Sequence, residues 1–90
     1  MYFALFYDVV DDYLTLRQPL RAAHLAHAEE AHRAGLLRLA GAFNPPDGAL
    51  LVFHASDVKP VEEFARNDPY VQNGLVKGWR VREWTVVIGG

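Results

Sequence analysis

Two side chains in this sequence are of the types that can move a proton near neutral pH when brought together. They are His24, in Arg21-Ala22-Ala23-His24-Leu25, and Asp68, in Asn67-Asp68-Pro69-Tyr70. Imidazole titrates close to neutrality. A carboxylate that accepts a hydrogen bond from one ring nitrogen fixes the tautomer and leaves the other nitrogen free to take or give a proton. Such a pair suits proton abstraction beside a carbonyl, isomerisation, or elimination of a small leaving group, and is worth roughly 10²–10⁴-fold in rate. Arg17 or Arg21 could hold a carboxylate or enolate, and Tyr70 could stack in the same pocket or donate a hydrogen bond. This chemistry requires no cofactor.

Each of these residues also has a plain structural use. A histidine on the buried face of a helix can be satisfied by one core hydrogen bond. An aspartate before proline at a bend is a good cap for the turn that follows. The cap and the proton-transfer role are compatible, because a carboxylate has two oxygens. A tyrosine after a bend often only packs. His24 and His27, at i and i+3, could share a cation with Glu29, Glu30 or His32 nearby. However, Glu29 points to the opposite side of the helix, cysteine is absent, and the paired-histidine pattern of zinc proteases is missing, so no metal is expected. Ser56 and Thr15 lack a nucleophile elbow. Gly41 and Gly48 stand alone rather than in a phosphate-binding loop.

The elements that would position these groups follow from patterning. Residues 2–9 are aromatic and β-branched without helical period, which predicts a strand with apolar residues on both faces. Residues 10–16 read as a connection. Pro19 fits the first turn of a helix running to Ala34, with Gly35 just beyond its end. At 100° per residue, Leu20, His24, His27, Ala31 and Ala34 fall within about 40° of one direction, opposite Glu29 and Arg33. That Ala-rich stripe must approach the sheet. His32 and His54 read as exposed or structural.

Leu36–Phe43 and Ala49–Ala55 read as strands joined by the turn Asn44-Pro45-Pro46-Asp47-Gly48. Asp57 is a candidate N-cap for a helix with Val61, Phe64 and Ala65 on its apolar side, ended by Asn67-Asp68-Pro69. A turn through Tyr70 to Gly74 precedes a last strand, Gly78–Ile88. The order β-α-β-β-α-β predicts an α+β, ferredoxin-like domain spanning 1–90: a four-stranded antiparallel sheet with both helices on one face. Tyr2, Ala4 and Phe6 then oppose Phe3, Leu5 and Tyr7, and Trp79 opposes Trp84. Helices cover only one side. The uncovered aromatic face predicts a homodimer in which two sheets stack.

Composition narrows the function classes. Ninety residues allow one domain. The chain is 51% hydrophobic, enough to fold. A net charge of −2 gives no electrostatic footprint for nucleic acid. The Lys77, Arg80 and Arg82 set alternates with apolar residues, as on a strand face. No apolar run approaches the ~20 residues that span a bilayer. The absence of cysteine and of a basic leader at Met1-Tyr2-Phe3 makes a cytoplasmic location the expectation.

Arg17, Arg21, Ala23-His24-Leu25, Ala34-Gly35-Leu36-Leu37, Ala40-Gly41, and Asp68-Pro69-Tyr70 through Gly74-Leu75 together resemble the YciI-like (YCII-related) family over nearly the whole chain. Each motif alone is weak, but their order and spacing are specific. The resemblance implies a dimeric α+β barrel and a cleft in which a His and an Asp form the active site, here His24 and Asp68. It matches Arg17 and Arg21 to basic positions of the family motif. One branch resembles enzymes of aromatic degradation, including a dehydrochlorinase, and the wider fold superfamily includes lactone isomerases. Two departures concern the pocket rim: Ala40-Gly41-Ala42-Phe43 stands where Ala-Gly-Pro is common, and the loop Asn44–Gly48 is short.

Three functions remain open at this stage: an acid/base enzyme acting on a small anionic or aromatic metabolite, a non-catalytic binding module or partner subunit, and a structural dimerisation domain. They differ at one atom. A catalytic His24 keeps one ring nitrogen unsatisfied and accessible, a buried structural pair uses both nitrogens, and a scaffold has no pocket beside His24.

Overall fold

The computed structural model describes residues 1–90. The chain runs β1 (Tyr2–Val9), α1 (Tyr13–Leu16), a 3₁₀ turn (Gln18–Leu20), α2 (Arg21–Arg33), β2 (Leu37–Ala42), β3 (Gly48–His54), α3 (Lys59–Asn67), α4 (Pro69–Gln72) and β4 (Val76–Trp84). The four strands form one sheet in the order β2-β3-β1-β4, and every neighbouring pair is antiparallel. This is the ferredoxin-like α+β arrangement with two short helices added.

Alternation along β1 divides the sheet into two faces. Phe3, Leu5, Tyr7 and Val9 join Ala49, Leu51 and Phe53 in a core closed by Ala28 of α2, by Val61, Phe64 and Ala65 of α3, and by Tyr70 of α4. On the opposite face Tyr2, Ala4 and Phe6 pair across the strands with His54, Val52 and Leu50, and with Trp84, Arg82 and Arg80. No helix covers this second face; only the C-terminal tail reaches its edge, where the Tyr2 hydroxyl donates to the Gly90 carbonyl at 3.2 Å and Val86 and Ile88 border a cavity with Leu39 and Trp84. Leu39 is 71% exposed there and Trp84 49%. The Arg80 guanidinium lies 4.8 Å from the centre of the Phe6 ring, an exposed cation–π contact.

The element boundaries differ from the pattern-based ones in instructive places. Residues 10–16, expected as a connection, contain helix α1, whose Tyr13 turns into the core. The helix expected from Pro19 opens as a 3₁₀ turn, with Pro19 in its first turn, and becomes α-helical at Arg21. Its end is as expected. Gly35 takes φ +80°, its N–H donates to the His32 carbonyl, and the Leu36 N–H donates to Ala31, which is the Schellman arrangement. Ala34 is exposed, whereas Ala28 is buried, so the inward face of α2 lies between His24 and Ala28.

The last strand begins at Val76 rather than Gly78 and ends at Trp84 rather than Ile88. Trp84 is paired with Tyr2, the first residue of β1, so the chain beyond it has no neighbouring strand to bond. Val87 and Ile88 are accordingly 86% and 90% exposed. At the other end of β4 a register shift between Asp8 and Val9 lets Val76 pair with Val9, leaving Lys77 as the extra residue. The turn expected through Tyr70 is helix α4, capped by the Asp68 side chain. Asp57 does accept a 2.8 Å hydrogen bond from the Lys59 N–H, one residue outside the geometric N-cap, Val58. No helix is long and apolar enough to cross a membrane.

Candidate functional site

The site lies where α2, α4 and β1 meet. Asp68 is fully buried. The following proline forces Asp68 out of the helical region, and at φ −69°, ψ 124° it separates α3 from α4. Its carboxylate accepts three hydrogen bonds, from the Tyr70 backbone N–H at 3.0 Å, from His24 Nδ1 at 2.8 Å and from the Tyr7 hydroxyl at 2.8 Å. The cap and the histidine contact share Oδ1, and Oδ2 is taken by Tyr7. One oxygen therefore makes both contacts that two had been expected to divide.

This donor set fixes the tautomer of His24. The Tyr70 N–H and the Tyr7 O–H each bring a hydrogen to Asp68, so the carboxylate acts as acceptor only, and His24 Nδ1 must carry the third hydrogen. Nε2 then holds the lone pair. It makes no hydrogen bond, yet no buried side-chain nitrogen or oxygen in the protein lacks a partner. Nε2 is therefore open to solvent, although the His24 side chain is only 14% exposed. The ring is clamped by Tyr70, which stacks on it at 3.8 Å and 7° between planes. Tyr13 meets Tyr70 edge-on at 5.7 Å.

A cavity of about 140 Å³ opens beside His24. Leu25, Ala28, Ala49 and Leu51 form its apolar wall, and Tyr7, Tyr13 and Tyr70 bring phenol rings to it. Arg17 and Arg21 line the same cavity. Arg17 sits 5.2 Å from the centre of the Tyr13 ring, and Arg21 Nη1 reaches the Tyr70 hydroxyl at 3.5 Å, a long contact. An apolar cavity of about 150 Å³ is enough to take up benzene. This one, of nearly that size, suits a molecule of about a single ring, with positive charge beside it.

The electrostatics keep the Tyr7 and Tyr70 phenols protonated. Burial, reinforced by the Asp68 charge and by the hydrogen bond to it, pushes Tyr7 far above the ordinary tyrosine range. Burial also raises Tyr70, and the Arg21 hydrogen bond opposes that shift.

All five residues singled out from the sequence, His24, Asp68, Tyr70, Arg17 and Arg21, meet at this one site. Tyr7 and Tyr13 belong to it as well and were missed. For Tyr7 a signal existed: it sits on the face of β1 with Phe3 and Leu5, and a buried phenol needs a partner for its hydroxyl. Tyr13 was hidden in a segment without recognisable period. The other histidines are held elsewhere. His27 Nε2 is 3.0 Å from the Phe64 carbonyl with its ring stacked on Phe64, His32 Nδ1 is 2.7 Å from the Leu37 carbonyl, and His54 is exposed at the end of β3.

Comparison with known proteins gives two positive findings. The family model described as the YCII-related domain matches residues 1–85. Among solved structures, 5-chloro-2-hydroxyhydroquinone dehydrochlorinase (TftG) from Burkholderia phenoliruptrix AC1100, in complex with 2,5-dihydroxybenzoquinone, superposes with a TM-score of 0.80 at 24% identity. The match covers 94% of each chain, and it establishes the fold. No curated protein matches the sequence.

Proposed function

The chain belongs to the YCII-related domain family, and from that premise we propose that it is a cofactor-independent acid/base enzyme acting on a small, ring-sized anionic or aromatic molecule. The observation that carries this reading is the state of His24: Nδ1 is bonded to a buried carboxylate, and Nε2 is unbonded and accessible beside a cavity. His27 also leaves one nitrogen unpaired beside a cavity, but its partner is a carbonyl; only His24 joins a free nitrogen to a buried carboxylate.

His24 Nε2 takes the proton, and the positive charge that develops on the ring is balanced by Asp68 through Nδ1–H. Arg17 and Arg21 stabilise the enolate or phenolate oxygen that results. Two chemistries fit. In isomerisation, His24 returns the proton to a different atom. In elimination, the electron pair released by proton removal forms a new double bond as a leaving group such as chloride departs with its own pair. The likeness in fold to a dehydrochlorinase with a bound dihydroxybenzoquinone supports a hydroxylated ring as the substrate class.

We further propose that two copies pair through their open sheet faces into an α+β barrel. Covering exposed Leu39 and Trp84 supports this, because a patch of that kind is unfavourable in water.

The test incubates the protein in D₂O with small carbonyl compounds and chlorinated hydroxyaromatics, and follows deuterium incorporation and chloride release. Turnover by the wild type that is lost in His24→Ala, with folding intact, supports the enzyme. Turnover that survives His24→Ala unchanged ends the reading. Saturable binding without turnover, unaffected by the variant, favours a binding module. Light scattering of the free chain reads the dimer directly.

A further inference from the structure

We infer that Tyr7 is a positioning residue of this site: its hydroxyl ties down the far oxygen of Asp68 and so sets how firmly the carboxylate holds His24. The inference rests on the His24–Asp68 reading above and adds a third member to it.

The geometry has three parts. The Tyr7 hydroxyl is 2.8 Å from Asp68 Oδ2, both residues are buried, and the bond joins positions 61 residues apart in the chain. Tyr7 lies in the central strand, paired with Ala49 on one side and Trp79 on the other, so its backbone is fixed by two ladders. Asp68, by contrast, sits in the single-residue break between two helices, where no ladder fixes its side chain. Two donors on Oδ1 alone leave the carboxylate free to pivot about that oxygen, and the Tyr7 bond removes the pivot. A bond from a neutral phenol also draws charge away from the carboxylate, which moderates the pull of Asp68 on the His24 proton. Tyr7 is thus joined to the proton-transfer nitrogen through Asp68 and the His24 ring.

The readout is the NMR titration of His24 in wild type, Tyr7→Phe and Asp68→Asn, with His27, His32 and His54 as internal references. The other titratable and charged groups around the cavity, Tyr13, Tyr70, Arg17 and Arg21, are the same in all three proteins. In Tyr7→Phe the carboxylate keeps its charge and loses a donor, so His24 binds its proton about threefold more tightly, a fraction of the strength of a hydrogen bond to a charged group. In Asp68→Asn the shift is in the opposite direction, and the reference histidines stay within error in both variants.

A His24 midpoint that moves in Asp68→Asn but not in Tyr7→Phe overturns the role of Tyr7 and leaves the dyad standing. A midpoint unmoved in both variants removes the dyad, and the inference with it. Should Tyr7→Phe fail to fold, the wild type still decides. A slowly exchanging Tyr7 hydroxyl proton with a deuterium isotope shift on the Asp68 carboxyl carbon upholds the bond, and its absence refutes it.

Discussion

Two grooves flank helix α2, and each holds a histidine one turn from the other. In the first, His24 stacks on Tyr70 and bonds Asp68. In the second, His27 stacks on Phe64 at 4.3 Å and bonds the Phe64 carbonyl. Both rings are half-buried, both are clamped by an aromatic face, and both use one nitrogen on the protein. An accessible nitrogen and a good stack therefore do not make a reactive histidine. What separates the two is the charge of the partner. A carboxylate balances an imidazolium, and a carbonyl offers only a dipole. The surroundings differ in the same sense: Arg17 and Arg21 border the first groove, and Glu30 and Glu63 the second. Only the first is bordered by cationic side chains.

The largest expected effect lies in the first groove. His24→Ala lowers turnover of a confirmed substrate by about 10²–10⁴-fold, whereas His27→Ala leaves turnover within about twofold, as read by initial rates on both variants. Equal losses in the two would erase the distinction drawn above. Next comes Asp68→Ala, which strands the buried Tyr7 hydroxyl and the Tyr70 N–H. At about 1–3 kcal/mol for each unsatisfied donor, unfolding in urea should show a loss of about 2–6 kcal/mol.

A smaller effect appears in alkali. Because the folded protein holds the Tyr7 proton well above the ordinary tyrosine value near 10, the folded state keeps it after the unfolded chain has released its own. Stability is thus fully present below about pH 10 and falls as pH rises beyond it, by about 1.4 kcal/mol per pH unit for this one group. Tyr7→Phe should make that limb shallower. An unchanged slope in denaturation at pH 9–11.5 would mean that Tyr7 titrates normally. Smallest is the stability cost of His27→Ala, about 1 kcal/mol for one hydrogen bond and a stacked ring.

Much of this was legible from residue order alone. The two-faced pattern of β1 gave the sheet its core side and its open side, and the stripe through His24 and His27 turned both inward as expected. Asp68-Pro69 marked the break that carries the carboxylate. What stayed hidden was decided by partners distant in sequence. Tyr7 reads as one more aromatic in an apolar strand until the fold brings Asp68 to its hydroxyl. Tyr13 sits in a helix of four residues, too short to show a period. The end of β4 depends on where β1 begins, which no local signal in Thr85–Ile88 records. Patterning likewise could not show that His27 would meet a carbonyl and His24 a carboxylate, although both lie on one stripe.

The single oxygen that caps α4 and also holds His24 has an evolutionary consequence. In many enzymes catalytic groups are kept at the expense of stability, and replacing them makes the protein sturdier. Here Asp68 secures the helix start and the histidine with the same atom. Drift at this position loosens the helix start and frees the histidine together. A descendant with no use for the histidine still has reason to keep the aspartate for the helix, so the carboxylate alone says little about the pocket, and the residue at position 24 is the more telling one.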